Sequence, residues 1–349
     1  MQKIVETLDF SLPLTEEISQ YDNVMFVYSV SFRKRSVFSQ IDKIPHIPFS
    51  DFEPNPDYAS IIKGANLFMT QGCDCLVSVG GGSSIDVAKG IKHILENKKL
   101  KHIAIPTTSG TGCESTQFAV VYKEGKKISL DLEELLPDVA ILDGTLIASL
   151  SDFQKRCTLL DAMCQCIESH WSVNSTEESG EGSMTGLNII LSNRKQYLQN
   201  SPEANKNMLI GANYSGRAIN ITRTTAPHAL SYVITKEHGV PHGCAVALTI
   251  TQFWRHLLSD LENTTHVMGE PFMKERLNEL SCVFGGNTLY EGLDIANQVI
   301  IETLPEIHTE GYNVSQISSG IDTDRLKNFP LSLSHDDIVR IVNLSLNQG

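Results

Sequence analysis

Leu76-Val-Ser-Val-Gly-Gly-Gly-Ser-Ser-Ile-Asp-Val-Ala-Lys-Gly90 is the stretch whose reading decides the fold. The apolar run over 75–79 reads as a buried parallel strand. Gly80, Gly81 and Gly82 follow it, and then a helical period begins with Ile85, Ala88, Ile91 and Leu95 on one face. Strand, glycine turn and helix in that order bring backbone N–H groups and a positive helix end to a phosphate. Glycines lack Cβ atoms, so the main chain can approach a pyrophosphate closely. Ser83 and Ser84 are placed to cap the helix and to donate to phosphate oxygens. A tight turn with no ligand can have the same pattern, so the rest of the chain has to decide.

The surroundings of that stretch narrow the class. The chain has 349 residues, 41% hydrophobic and 20% charged, which suits a globular protein of about two domains. Its net charge of −13 argues against nucleic acid or an anionic membrane as partner. No apolar run reaches transmembrane length and the N-terminus lacks a signal-peptide core, so a cytoplasmic location is expected. The 8 cysteines, including the Cys73-x-Cys75 and Cys164-x-Cys166 pairs, lack the spacing of a zinc knuckle and read as reduced thiols.

Upstream, 24–28 reads as a buried strand, with Ser29-Val-Ser-Phe-Arg-Lys-Arg35 as a basic turn after it. Asp57 is placed to cap a helix that carries Ile61, Ile62, Ala65, Leu67 and Phe68. Downstream, 102–105 is another strand, Thr107-Thr-Ser-Gly-Thr-Gly112 a turn rich in hydroxyls, 117–122 and 127–130 a strand pair across Glu124-Gly125, and 139–142 a last strand. Strands and helices alternate with short turns, which favours a mostly parallel α/β sheet over 1–150. From 151 to 349 helical periods dominate, over 152–171, 182–199, 203–220, 226–236, 243–258, 271–283, 288–303 and 335–346, with 174–182 as a polar loop. The expected fold is therefore an α/β sheet domain followed by an all-α domain.

Asp161 and Gln165 lie four apart on a helix and point the same way. His228 and His242 each fall at a loop-to-helix entry, beside Pro227 and Pro241. A carboxylate and two imidazoles from three helices can hold a divalent metal with an open position for a carbonyl oxygen. Most of the 11 histidines lie in this half, so structural or surface histidines are the competing reading.

These motifs together resemble the iron-containing (group III) alcohol dehydrogenase family, which has a dehydroquinate-synthase-like fold with a Rossmann-like first domain. The resemblance is carried by Pro54-Asn-Pro56, Gly80-Gly-Gly-Ser-Ser-Ile-Asp-Val-Ala-Lys89, Pro106-Thr-Thr-Ser-Gly-Thr-Gly-Cys-Glu114, Pro137-Asp-Val-Ala-Ile-Leu-Asp143, Asp161-Ala-Met163, His228 and Pro241-His-Gly243. It implies that Gly81, Gly82, Ser83 and Asp86 sit at the pyrophosphate of NADH or NADPH. It also implies that Thr107, Thr108 and Thr111 line the cofactor and that Lys127 reaches its ribose. Asp161, His228 and His242 would bind Fe²⁺ or Zn²⁺, with Gln165 standing where relatives usually carry His, a weaker neutral ligand. Relatives are often homodimers built through the N-terminal sheet, and the apolar strand 24–28, without edge protection, would suit that.

Two further departures bear on cofactor and chemistry. Tyr232 stands where many relatives carry another His, and it, His238 or water could supply the final proton. Ser29 stands where NAD-preferring relatives often have an acidic residue, with Arg33, Lys34 and Arg35 nearby, which opens the site to NADPH; a solvated helix start is the competing reading of these cations. Leu160-Asp-Ala-Met-Cys-Gln-Cys-Ile-Glu-Ser-His-Trp-Ser172 and Gly216-Arg-Ala-Ile-Asn-Ile-Thr-Arg-Thr-Thr-Ala226 resemble the phosphonoacetaldehyde reductase branch. Arg223, six residues after Arg217 on a helix-like segment, could offer its guanidinium to a phosphonate. The expected activity is a metal-dependent, NAD(P)H-linked reduction of a small anionic aldehyde. Two alternatives remain: a sugar- or polyol-derived substrate, or a cofactor-binding relative with catalysis weakened at Gln165.

Overall fold

The computed structural model describes residues 2–124, 126–309 and 311–346. The chain folds as two compact units, Met1–Leu150 with Gln199–Gly216, and Ser151–Leu198 with Arg217–Gly349. The first begins β1 (Lys3–Thr7), α1 (Ser11–Ile18), β2 (Val24–Tyr28), α2 (Phe38–Ile41), β3 (Ile47–Phe49), α3 (Tyr58–Thr70), β4 (Cys75–Gly80) and α4 (Gly82–Ile94). It continues with β5 (Lys101–Pro106), β6 (Phe118–Lys123), β7 (Lys126–Asp131) and β8 (Val139–Asp143).

Six strands form one parallel sheet in the order β1-β8-β5-β4-β2-β3. The central strands are apolar on both faces because both faces are covered. Phe26, Tyr28, Val77 and Val79 point into one core with Phe10 and Leu14. Their neighbours Met25, Val27 and Leu76 point into the other, against Ile61, Ala65, Phe68, Val87 and Ile91. Alternate residues of a strand face opposite ways, so one apolar run serves two cores. β6 and β7 form a separate antiparallel pair; of its turn, Glu124 has φ +52° and Gly125 lies outside the described residues.

Several local expectations need correction. β1 and β3 were not expected as strands: β1 is a half-exposed edge, and β3 has three residues with a proline in the middle. β2 is not an edge, since it lies between β4 and β3, so its missing edge protection says nothing about a dimer. Asp57 does cap α3, accepting from Ser60 N at 2.6 Å. Ser83 and Ser84 do not cap α4, because they lie inside it and Gly81 is its N-cap.

The second unit is helical: α5 (Asp152–Trp171), α6 (Glu177–Leu198), α7 (Pro202–Thr222), α8 (Ala226–His238), α9 (His242–Ser259), α10 (Gly269–Phe284), α11 (Leu289–Thr303), α12 (Val314–Ser319), α13 (Thr323–Leu326) and α14 (His335–Leu346). The stretch of α7 up to Gly216 belongs to the first unit. α5 is buried along most of its length and opens with a capping box between Ser151 and Gln154. The expected polar loop over 174–182 is overturned, because α6 already begins at Glu177. Thr176 and Ser179 exchange side-chain and backbone hydrogen bonds at 2.8 and 3.1 Å, so the loop-like hydroxyls form a cap. No helix among the described residues is long and apolar enough to cross a membrane. All eight cysteines are free thiols.

Candidate metal centre and cofactor cradle

In the first unit the chain leaves β2 towards β3 on one side and continues through β4 on the other. Where strand order reverses like this, the carboxyl ends of the strands leave a crevice for a ligand. The glycine turn lies at that end of β4. Gly80 pairs with Pro106, and Thr107 N donates to Gly80 O at 3.0 Å, so the hydroxyl-rich loop after β5 lies beside the turn. A Cβ on Gly81 would come within 3.2 Å of Thr108, and one on Gly82 within 3.3 Å of Cys113 and 3.5 Å of Thr111. The structure thus brings together Gly81, Gly82, Thr107, Thr108 and Thr111 at the start of α4, where first-turn N–H groups are available to an anion. Ser83 lies in that first turn, half-buried.

Asp86 is buried one turn further on. Its Oδ2 accepts from Val120 N at 3.1 Å, which ties α4 to β6, while its Oδ1 has no hydrogen-bond partner. Burial raises its carboxyl to about 6, against the pull of Lys89, the Val120 N–H and Lys127. Lys127 acts on Asp86 from β7, half-buried. Lys89 is fully buried and donates to the carbonyls of Cys113, Thr116 and Phe118, each at 2.7 Å, so it holds the loop in place. Beyond β2, Phe32 N donates to Ser29 Oγ at 3.2 Å. Of the three cations there, Arg35 donates to Leu146 O at 3.3 Å, whereas Arg33 and Lys34 are exposed.

In the second unit Asp161, His228 and His242 each offer a ligand atom, all within 4.8 Å of one another. They come from α5, α8 and the first residue of α9. Gly243 allows this approach: a Cβ there would strike Cys157 O and come within 2.8 Å of Asp161. Gln165 joins the cluster as a donor, its Nε2 at 3.2 Å from Asp161 Oδ1.

Glu168, which the motif reading missed, orders the site. Its Oε1 accepts from Thr225 N at 2.9 Å, Thr225 Oγ1 at 2.8 Å and His228 N at 3.3 Å, capping the start of α8. Its Oε2 is hydrogen-bonded to His228 Nδ1. That leaves His228 Nε2 turned to Asp161 Oδ1 at 3.4 Å, buried and without a hydrogen-bond partner. Ser231 supports the other imidazole. Its hydroxyl donates to His228 O at 2.8 Å, so it is left to accept from His242 Nδ1 at 3.2 Å. His242 Nε2 then faces Asp161 Oδ1 at 3.9 Å. A second residue that holds one nitrogen of an imidazole and turns the other towards a shared carboxylate is the usual support of a metal ligand.

Burial pushes the Asp161 carboxyl up, but the contacts with His228 and His242 outweigh it and hold it below the ordinary range. Burial works against charge on His228 too, yet the Glu168 charge and the Asp161 contact push it up to about 9. One carboxylate and two imidazoles within 4.8 Å of one another, around a buried His228 Nε2 that has no hydrogen-bond partner, fit Fe²⁺ or Zn²⁺.

Tyr232 stacks on His242, with ring centroids 5.3 Å apart and 17° between planes. His238 ends α8, and its ring stacks at 3.8 Å on Tyr312. Arg223 is not helical: it follows α7 with φ +63°, and its Nη1 donates to Asn220 O. Spacing did carry a signal for Glu168, since 161, 165 and 168 share one face of α5.

A model of the iron-containing alcohol dehydrogenase family matches residues 10–144, and one of the C-terminal part of the Fe-containing alcohol dehydrogenase family matches 156–311. The chain is 29% identical over 323 residues to a phosphonoacetaldehyde reductase of Streptomyces viridochromogenes, covering 79% of this chain and 81% of that protein. It is 28% identical to the NAD-dependent methanol dehydrogenase of Bacillus methanolicus over 229 residues, 57% of this chain and 60% of that one. A sulfoacetaldehyde reductase from Bifidobacterium kashiwanohense, solved in complex with NAD+, superposes with a TM-score of 0.88 at 22% identity, covering 100% of this chain and 98% of that one. With both its units matched, the chain belongs to the iron-containing alcohol dehydrogenase family and is an NAD(P)-dependent alcohol dehydrogenase or aldehyde reductase.

Proposed function

We propose that this enzyme reduces a small aldehyde with an anionic head group, phosphonoacetaldehyde to 2-hydroxyethylphosphonate being the leading case. The observation that carries the reading is the likeness to a phosphonoacetaldehyde reductase over 79% of the chain. In this reading Asp161, His228 and His242 hold Fe²⁺ or Zn²⁺, and Gln165 steadies Asp161 through its amide. The metal, when bound, supplies a Lewis acid that polarises the carbonyl and stabilises the developing alkoxide. Glu168 and Ser231 keep the two imidazoles turned to it. Gly81, Gly82 and Ser83 offer first-turn N–H groups to the cofactor pyrophosphate, Thr107, Thr108 and Thr111 line its path, and Asp86 and Lys127 reach its polar groups. Arg33 and Lys34 favour NADPH over NADH. Tyr232, whose ring stacks on His242, is the first candidate for passing the final proton, with His238 the second. Arg223 is a candidate for the anionic head, although its Nη1 is engaged with Asn220 O.

The test is oxidation of NADPH and NADH with phosphonoacetaldehyde, acetaldehyde and a sugar aldehyde, with and without added Fe²⁺ or Zn²⁺. The expected result is a metal-dependent rate with a large preference for the phosphonate. Comparable rates for acetaldehyde would instead favour a neutral substrate, the alternative that the methanol dehydrogenase likeness supports.

A further inference from the structure

Arg325 lies far from every motif, in the C-terminal tail, yet the structure brings it to the candidate metal centre. It is carried by α13, which Asp322 caps and whose Leu326 is buried. Its guanidinium carbon lies 4.9 Å from the centre of the Tyr232 ring, and its Nη1 donates to the Tyr232 hydroxyl at 3.2 Å. Tyr232 in turn stacks on His242. One aromatic ring therefore separates the guanidinium from a metal-ligand candidate.

We propose that Arg325 recognises the anionic head of the substrate, in the arrangement Arg325–Tyr232–His242. The proposal rests on the anionic-aldehyde reading and gives the anionic head a second candidate beside Arg223. Three observations carry it. The side chain is 33% exposed, so it is open to solvent beside a mostly buried cluster. Its carboxylate partner among the described residues, Asp322, is 3.5 Å away and itself 59% exposed, and such a pair neutralises little. Its Nη1 is engaged with the Tyr232 hydroxyl and its Nε faces Asp322, which leaves Nη2 outside both contacts. The contact with Tyr232 holds the guanidinium in place, so its Nη2 can be presented to a phosphonate or sulfonate with little loss of side-chain freedom. A carbonyl at the metal and an anion at Arg325 would hold both ends of a short substrate and fix its orientation.

The bland role for Arg325 is to hold α13 against α8 through Tyr232. The two roles separate experimentally. Full-length, metal-loaded wild type, Arg325→Gln and Arg325→Lys would be compared on phosphonoacetaldehyde and on acetaldehyde, with binding of methylphosphonate followed by calorimetry and metal content by elemental analysis. Arg325→Gln is expected to lower kcat/KM for phosphonoacetaldehyde about 100-fold, mainly through KM, and to abolish methylphosphonate binding. The loss for acetaldehyde is expected to be much smaller and confined to kcat, where the lost hydrogen bond to Tyr232 slows protonation, and metal content is expected to be unchanged because no ligand is touched. Arg325→Lys keeps the charge without the fork, so a drop of about 10-fold is expected. It gives the same comparison should the Gln variant fail to fold. Equal losses on both aldehydes, or methylphosphonate binding retained in Arg325→Gln, would overturn the proposal. A wild type with no preference for phosphonoacetaldehyde would already refute the anionic-aldehyde reading, and this assignment with it, before any variant is read.

Discussion

At the scale of single residues, Glu168 and Gly243 decide whether three side chains become one site. Glu168→Gln leaves an acceptor for the first turn of α8 but removes the charge that holds His228 Nδ1. Metal affinity is expected to fall about 10- to 100-fold, read as metal retained after dialysis, and full retention would contradict the role given to Glu168. Gly243→Ala places a methyl against Cys157 O and Asp161, both in α5. The helices must separate, so a loss of about 1–3 kcal/mol in urea denaturation is expected, with weakened metal binding; an unperturbed variant would mean that the approach is looser than described. Asp161, His228 and His242, which the fold brings within 4.8 Å of one another, could be marked as candidates from the chain because each sits in a recognisable motif. Glu168 carried only a helical spacing, and its partners Thr225 and His228 lie 57 and 60 residues away. Ser231 offered no more than a hydroxyl one turn after His228. Arg325 offered nothing, because its neighbours become neighbours only in the folded unit.

At the scale of elements, α4 and the end of β2 carry the cofactor expectations. The buried Asp86 carboxyl titrates at about 6 in the folded chain, raised by burial from its ordinary value of 3.8. The folded state therefore holds the proton more tightly than the unfolded one. Its contribution is complete below about pH 4 and is lost as pH rises through about 6, a swing on the order of 2–3 kcal/mol. Asp86→Asn removes that titration. The stability of the variant minus that of wild type is expected to rise between pH 4 and 6 and to level off above, by denaturation at each pH; a constant gap would contradict it. At the end of β2, the double change Arg33→Ala with Lys34→Ala is expected to lower the NADPH-to-NADH ratio of kcat/KM about 10-fold, and an unchanged ratio would remove these cations from cofactor choice. Elements with a strong period were legible: 24–28 and 152–171 were read at the bounds that β2 and α5 have. β1 and β3 were not, because edge strands need neither continuous apolar character nor length. The start of α6 was not, because a Thr–Ser cap has the composition of a loop.

At the scale of the whole chain, composition and charge set the class, and the order of the motifs set the family. The α/β sheet followed by helices was legible because both patterns run over many residues. The tail was not: α12 and α13 have six and four residues, too short for a period to register, although α13 supplies Arg325. Every role assigned in the second unit depends on one divalent ion at Asp161, His228 and His242. The most direct test is the metal content of the protein purified without chelator, followed alongside aldehyde-dependent NADPH oxidation as the metal is stripped and Fe²⁺ or Zn²⁺ restored. Activity is expected to fall with the metal, return with it, and fail to return in His242→Ala. Full activity in protein shown to be free of metal would contradict it.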